Sequence, residues 1–312
     1  MHKMNISKYL QVFGLILTVG LSVSIKADCR EFLKVPFHID RNRIIIPAAV
    51  NGSRPLRLIL DTGMGFDGVY LFHKEVLDLI DTTGAIEVRI PGAGSGEASA
   101  ATMTETGRIE FGDITINDQR VLVSHSANTQ TFPTDGVTGW NFFGHYIVEI
   151  DYDKQCILLR DTAYVHSDSS WLVLPIELKK GLPFLEVKVE VVEGELVPMT
   201  VYIDLASGDA LELLVHPGQK FTLPDNLTKS YLGTGLSGDI NGHHGRSHRL
   251  QIGKYELNDI ATAFAPAGVR SKQEGADGIL GNDLMRRFNI IFDYPHSRLF
   301  IRPNKTFKVP FE

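Results

Sequence analysis

The chain has 312 residues, of which 43% are hydrophobic and 22% charged, and its formal net charge is −6. That composition is ordinary for a globular protein and long enough for one large or two medium domains. The acidic balance, with no basic run beyond the first few residues, argues against a nucleic-acid surface, which needs clustered Lys and Arg.

Residues 1–27 read as a secretory signal. His2, Lys3 and Lys8 supply a positive start, and Leu10 to Val23 is apolar apart from Gln11, Thr18, Ser22 and small glycines. Ile25-Lys26-Ala27 forms a tolerable cleavage site before Asp28. The run is short for a membrane span, and no later segment could be one. Export to the periplasm or the outside is therefore expected, with an uncleaved N-terminal anchor as the alternative. Lipid attachment at Cys29 fits less well, because Lys26 and Asp28 stand before it where lipoprotein signals have apolar and small residues. Cys29 and Cys156 allow one disulfide in an exported protein, or two free thiols with Cys156 packed in a strand. Their number and spacing argue against a Cys-based metal site.

Short strands are expected at Arg43–Val50, Leu56–Leu60, Ile86–Ile90, Arg108–Phe111, Arg120–Ser124 and Tyr146–Leu159, punctuated by Gly, Pro, Asn and Asp. Short helices are expected at His73–Ile80 and Trp140–His145. Tyr164 to Ser170 is polar and small, and reads as a linker.

One stretch stands out. Leu58-Ile59-Leu60 is a buried-strand run that ends directly in Asp61-Thr62-Gly63. A carboxylate at the end of a buried strand is costly unless it is paired or used. Thr62 offers a hydroxyl to neighbouring backbone, and Gly63 permits a tight turn.

The surroundings of that stretch recur. Val201-Tyr202-Ile203-Asp204 repeats it at an offset of 143 (204 − 61), and Asp277-Gly278-Ile279-Leu280-Gly281 repeats Asp135-Gly136-Val137-Thr138-Gly139 at 142 (277 − 135). Phe111-Gly112 returns as Ile252-Gly253, and Ile150-Asp151-Tyr152 as Phe292-Asp293-Tyr294. The chain therefore reads as two homologous lobes, 28–165 and 166–312. Each has a glycine-rich insert, Pro91–Glu97 and Leu232–Gly242, without the Lys-Ser/Thr ending of a phosphate loop. Both inserts fit hairpin tips.

This arrangement resembles the pepsin/retropepsin-like aspartic proteases, and more closely the exported bacterial proteins that carry two retropepsin-like lobes on one chain. The likeness spans residues 40–303. It rests on the strand ending in Asp-Thr-Gly, the hairpin after it, and the apolar-apolar-Gly segments Val137-Thr138-Gly139 and Ile279-Leu280-Gly281. The resemblance implies a mostly β fold of two pseudo-symmetric β-barrel lobes with a cleft between them. It implies an aspartic-type endopeptidase with Asp61 and Asp204 as catalytic pair, supported by Thr62 and Gly63. Flaps carrying Gly92, Gly94, Gly96, Gly238 and Gly242 would cover an extended peptide substrate. No cofactor and no metal are implied, and a monomer is expected. Two carboxyls about 3 Å apart share one proton, the charged member taking a proton from water and the neutral one donating to the scissile carbonyl. Aspartic proteases are the standard example of that behaviour.

Two departures matter. Thr138 stands where the family has an apolar residue. In the second motif, Asp204-Leu205-Ala206 keeps the carboxylate but replaces hydroxyl and glycine, which leaves a weakly active or inactive peptide-binding module as the alternative. Asp135, Asp277, Asp151 and Asp293 read as turn and strand-end residues. His243, His244 and His248 read as a solvated loop rather than a metal site. Asp67 has no carboxylate in register with it, since position 210 is Ala.

Overall fold

Apolar runs interrupted by turn residues form strands throughout the described residues, 32–270 and 275–312 of a computed structural model. The signal-like segment and Cys29 lie outside them. The first half holds β1 (Leu33–Pro36), β2 (His38–Asp40), β3 (Arg43–Val50), β4 (Leu56–Leu60), β5 (Gly68–Leu71), β6 (Ile86–Ile90), β7 (Ser99–Phe111), β8 (Ile114–Ser124), β9 (Gly136–Thr138), α1 (Trp140–Phe143), β10 (Ile147–Asp151) and β11 (Cys156–Arg160). The second half holds β12 (Leu172–Pro175), β13 (Glu177–Lys179), β14 (Leu182–Glu190), β15 (Leu196–Asp204), β16 (Leu211–Val215), β17 (Thr228–Gly235), β18 (Gly238–Ile252), β19 (Tyr255–Pro266), β20 (Gly278–Gly281), α2 (Asn282–Met285), β21 (Phe288–Asp293) and β22 (Arg298–Pro303).

The two halves are wired alike. In the first, β3, β4, β9, β5, β8 and β7 are neighbours in that order, and β3 also pairs with β7, which closes a six-stranded barrel. In the second, β14, β15, β20, β16, β19 and β18 follow the same order, and β14–β18 pairing closes the ring. Closure pairs the edges of each ring, and β2 and β6 in the first half and β13 and β17 in the second form the sheet ends. The strand ending in Asp61 runs parallel to β9, and the strand ending in Asp204 runs parallel to β20. The entry hairpins turn on Arg41-Asn42 and Lys180-Gly181, all at positive φ, the two-residue geometry that matches strand twist.

A six-stranded sheet joins the lobes in the order β1-β11-β10-β21-β22-β12, with β10 from the first half against β21 from the second. Alternation along β4 sends Leu56, Leu58 and Leu60 into the main core and Ile59 to the opposite face. The same alternation in β15 sends Val201 and Ile203 inward and Tyr202 outward. The outward rows face the site described below.

Several expected elements differ in detail. His73–Ile80 contains only a 3₁₀ stretch, Lys74–Leu79. Tyr146–Leu159 is two strands, because Asp151 accepts the Lys154 amide at 2.9 Å and turns the chain. Strands β7 and β8 begin well before Arg108 and Arg120, at Ser99 and Ile114, and the β7 extension runs through Thr and Ala with little apolar pattern. Strand β5 (Gly68–Leu71), which is not among the strands expected from the sequence, follows the Asp-Thr-Gly loop. The linker at Tyr164–Ser170 holds no strand or helix. Cys156 is a buried free thiol in β11. No helix among the described residues is long and apolar enough to cross a membrane.

Candidate active site

Asp61 leaves β4 with its amide donating to Thr138 O at 2.8 Å, so β9 fixes the strand end. Gly139 passes directly behind it, where a Cβ would come 1.9 Å from Asp61 O; glycine is required by that approach. The Asp61 carboxylate turns back and accepts the Gly63 amide at 2.6 Å. Thr138 is fully buried, and its hydroxyl donates to Gly68 O at 3.2 Å. The buried Thr138 hydroxyl is thus satisfied.

Thr62 crosses to the other lobe. Its hydroxyl donates to Ile203 O at 2.8 Å and accepts the Leu205 amide at 3.1 Å. These bonds flank Asp204 in the chain, so they tie the two acidic loops together. Leu205 is fully buried and fills apolar space where a second hydroxyl would sit. The Asp204 carboxylate instead accepts the amides of Ala206 at 2.9 Å and Ser207 at 3.2 Å. Arg43 adds a further cross-lobe bond, donating to Ala206 O at 2.7 Å.

Both carboxyls are pushed up. Burial is the main cause for Asp61, the Asp204 charge adds to it, and the group reaches about 7. Burial also raises Asp204, against the opposing pull of Arg270. A buried acid raised further by the charge of a second acid is the condition for sharing a proton.

The glycine-rich inserts of the two lobes meet and exchange apolar tips. Leu236 of the β17–β18 hairpin packs on the first-lobe cluster of Ile59, Tyr70 and Val137. Ala93 of the first insert packs on the second-lobe cluster of Ile240, Ala265 and Val269. Backbone bonds lock the exchange: Gly96 N donates to Ser237 O at 2.6 Å, Ser237 N to Ala93 O at 2.9 Å, and Gly94 N to Val269 O at 3.1 Å. Gly94 has φ 128, and a Cβ there would come 2.5 Å from the Ser237 backbone. Gly92 and Gly96 belong to this contact as well, since Gly92 N donates to the Ser237 hydroxyl at 3.1 Å. Gly238 follows the tip at φ 104. Gly242 does not belong to the tip. The hairpin turns at Leu236-Ser237, and Gly242 lies along β18 opposite Ser230.

Sequence reasoning missed a polar row beneath Asp204. Across the first barrel, Ile59 pairs with Val137 and Val137 with Tyr70. In the same places the second barrel has Tyr202, Ile279 and Glu212. Glu212 is buried and accepts Arg270 in a fork, Nε to Oε1 at 2.9 Å and Nη2 to Oε2 at 2.8 Å. Arg270 Nη1 lies 4.0 Å from Asp204 Oδ2. The legible signal was an acid inside the apolar run Leu211-Glu212-Leu213-Leu214, which demands a buried partner.

The remaining acids have structural partners. Asp135 accepts Arg54 at 2.7 Å and the Arg57 amide at 2.7 Å, and Asp277 accepts Lys220 at 2.7 Å and the Thr200 amide at 2.8 Å. Asp151 and Asp293 hold Lys154 and Arg298. Asp67 meets His145 at 2.7 Å. His243, His244 and His248 are exposed, as expected, but they lie on β18 rather than in a loop. No group of three or more His, Cys, Asp or Glu side chains among the described residues could hold a metal ion.

Neither a protein-family model nor a curated protein matches the chain.

Proposed function

We propose that the chain is an exported aspartic-type endopeptidase of the two-lobed pepsin/retropepsin-like kind, acting on extended peptide segments as a monomer without a cofactor. The observation that carries this reading is the pairing of two equivalent strand ends. Asp61 and Asp204 are drawn together by Thr62, and each is pushed toward its protonated form by burial.

The chemistry follows from one proton on two carboxyls. The ionised member takes a proton from a water molecule as the water oxygen attacks the scissile carbonyl carbon. The protonated member gives its proton to the carbonyl oxygen, which yields a tetrahedral diol. The carbon–nitrogen bond then breaks as the leaving nitrogen is protonated, and no covalent enzyme intermediate forms. The closed tips must part to admit a chain, which afterwards bonds to their exposed backbone as an added strand.

Leu205 and Ala206 favour a second reading, a peptide-binding module that does not cleave, because the second loop lacks the hydroxyl and glycine of the first. Incubation with denatured protein between about pH 3 and pH 8 separates the two. Cleavage blocked by a statine-type transition-state mimic supports the peptidase; saturable binding without cleavage supports the module.

A further inference from the structure

The second barrel carries a charged device under its aspartate that the first lacks. Arg270 stands just after β19 and keeps 10% of its side-chain exposure, and Glu212 keeps 2%. The fork with Glu212 uses Nε and Nη2. Nη1 donates to no acceptor among the described residues and points toward Asp204 Oδ2, 4.0 Å away. The ion pair is thus oriented, with its positive end against one aspartate and its negative end against the barrel. The Tyr202 hydroxyl, buried in the same row, likewise has no hydrogen-bond partner among the described residues. Nothing comparable stands under Asp61, where the row is Ile59, Val137 and Tyr70, and Tyr70 spends its hydroxyl on Ser99 at 2.6 Å.

We propose that Arg270, clamped by Glu212, is a positioning residue that holds the negative charge of the acidic pair on Asp204 and so leaves the shared proton on Asp61. This rests on the peptidase reading for its catalytic meaning: Asp204 then accepts the proton of the attacking water, and Asp61 donates its own proton to the carbonyl oxygen. The protons balance, since one moves onto Asp204 as one leaves Asp61.

The surroundings agree with that polarity. Arg270 lowers Asp204 directly against burial, whereas for Asp61 burial and the Asp204 charge act first and Arg270 is the weakest influence. Glu212 acts in the opposite sense on Asp204 but is the weaker neighbour. Asp209 also faces this region, pushed up to about 6 by burial and by Glu212, with His244, Arg43 and Arg270 opposing. Tyr202 faces Arg270 and both aspartates, and Tyr294 faces Asp61; burial keeps both phenols neutral. Arg270 is therefore the cation nearest the pair.

The test is a carboxyl titration of the full chain with ¹³C-labelled aspartate, assigned through Asp61→Asn and Asp204→Asn, because site-resolved signals separate the members of a coupled pair. In the wild type, Asp204 should lose its proton at lower pH than Asp61. In Glu212→Gln/Arg270→Gln, where an amide pair replaces the ion pair, Asp204 should move up by about one pH unit or more. Arg270→Lys, which keeps the charge, should leave the wild-type order in place. The acid limb of peptide cleavage should follow Asp204 upward in the double variant, which a merely structural role would not produce. Asp204 titrating with or above Asp61 in the wild type overturns the proposal whether or not the variant folds, and so does an unmoved Asp204 in a folded double variant. A wild type that cleaves nothing sinks the peptidase reading, while the order of the two titrations still decides the role of Arg270.

Discussion

The Thr62 hydroxyl donates to the carbonyl of Ile203 at 2.8 Å, and no hydroxyl returns the bond, because the matching position is Leu205. One hydroxyl, not two, therefore links the two acidic loops. Thr62→Val keeps the shape and removes the link, leaving the Leu205 amide, which bonds the Thr62 hydroxyl at 3.1 Å, without that acceptor. A buried orphan of this kind costs about 1–3 kcal/mol, and an ångström of misplacement costs on the order of a hundredfold in rate. Urea unfolding and peptide cleavage should both register the change. Unaltered values in both would mean that the link is incidental.

Asp61 sets a pH dependence of stability. Its folded carboxyl titrates near 7, above the ordinary 3.8. The folded state therefore binds a proton more tightly than the unfolded state, and stability declines as pH rises from about 4 through about 7. Asp61→Asn escapes that decline. It should be more stable than the wild type above pH 7, by on the order of 2–4 kcal/mol, with the gap closing below about pH 4. Denaturation midpoints at the two ends of the range check this. A gap independent of pH would contradict it.

Gly94 governs closure of the inserts. A methyl group there would press on the Ser237 backbone at 2.5 Å, and φ 128 strains any side chain. Such tips carry little core, so Gly94→Ala should fold normally. Peptide affinity should fall on the order of tenfold, because the tips no longer meet over the bound chain. Unchanged affinity, or loss of the fold, would show that the contact between the tips does something else.

Leu236 tests the same contact from the other side. Its side chain packs on the first-lobe cluster, so Leu236→Ala loosens the closed state at a cost of about 1 kcal/mol or less for a partly buried contact. Opening should become faster, with a higher association rate for peptide measured by stopped flow. A slower association rate would place the barrier elsewhere.

The repeat made much of the architecture legible. Landmarks near Asp61, Gly112, Asp135 and Asp151 recur at nearly constant offset, and the barrels they belong to are wired in the same strand order. The loss of the hydroxyl and glycine in the second acidic loop was also readable from Leu205 and Ala206. The long first part of β7 was not, because cross-strand pairing rather than local apolar pattern makes it a strand. Arg270 was invisible for a related reason. It lies 58 residues from Glu212 and pairs with it only after β16 and β19 meet. The exchange of Ala93 and Leu236 between lobes likewise depends on two hairpins meeting at their tips, which neither hairpin encodes alone.

The central claim is that two carboxyls act as one unit. The most direct measurement is cleavage of denatured protein by Asp204→Asn at the wild-type pH optimum, with folding confirmed by the retained cooperative unfolding transition. The two-carboxylate account predicts that the variant stays folded and loses cleavage entirely, as Asp61→Asn also does, because neither role survives alone. Turnover near the wild-type rate in folded Asp204→Asn would contradict it and reduce the second lobe to a binding surface.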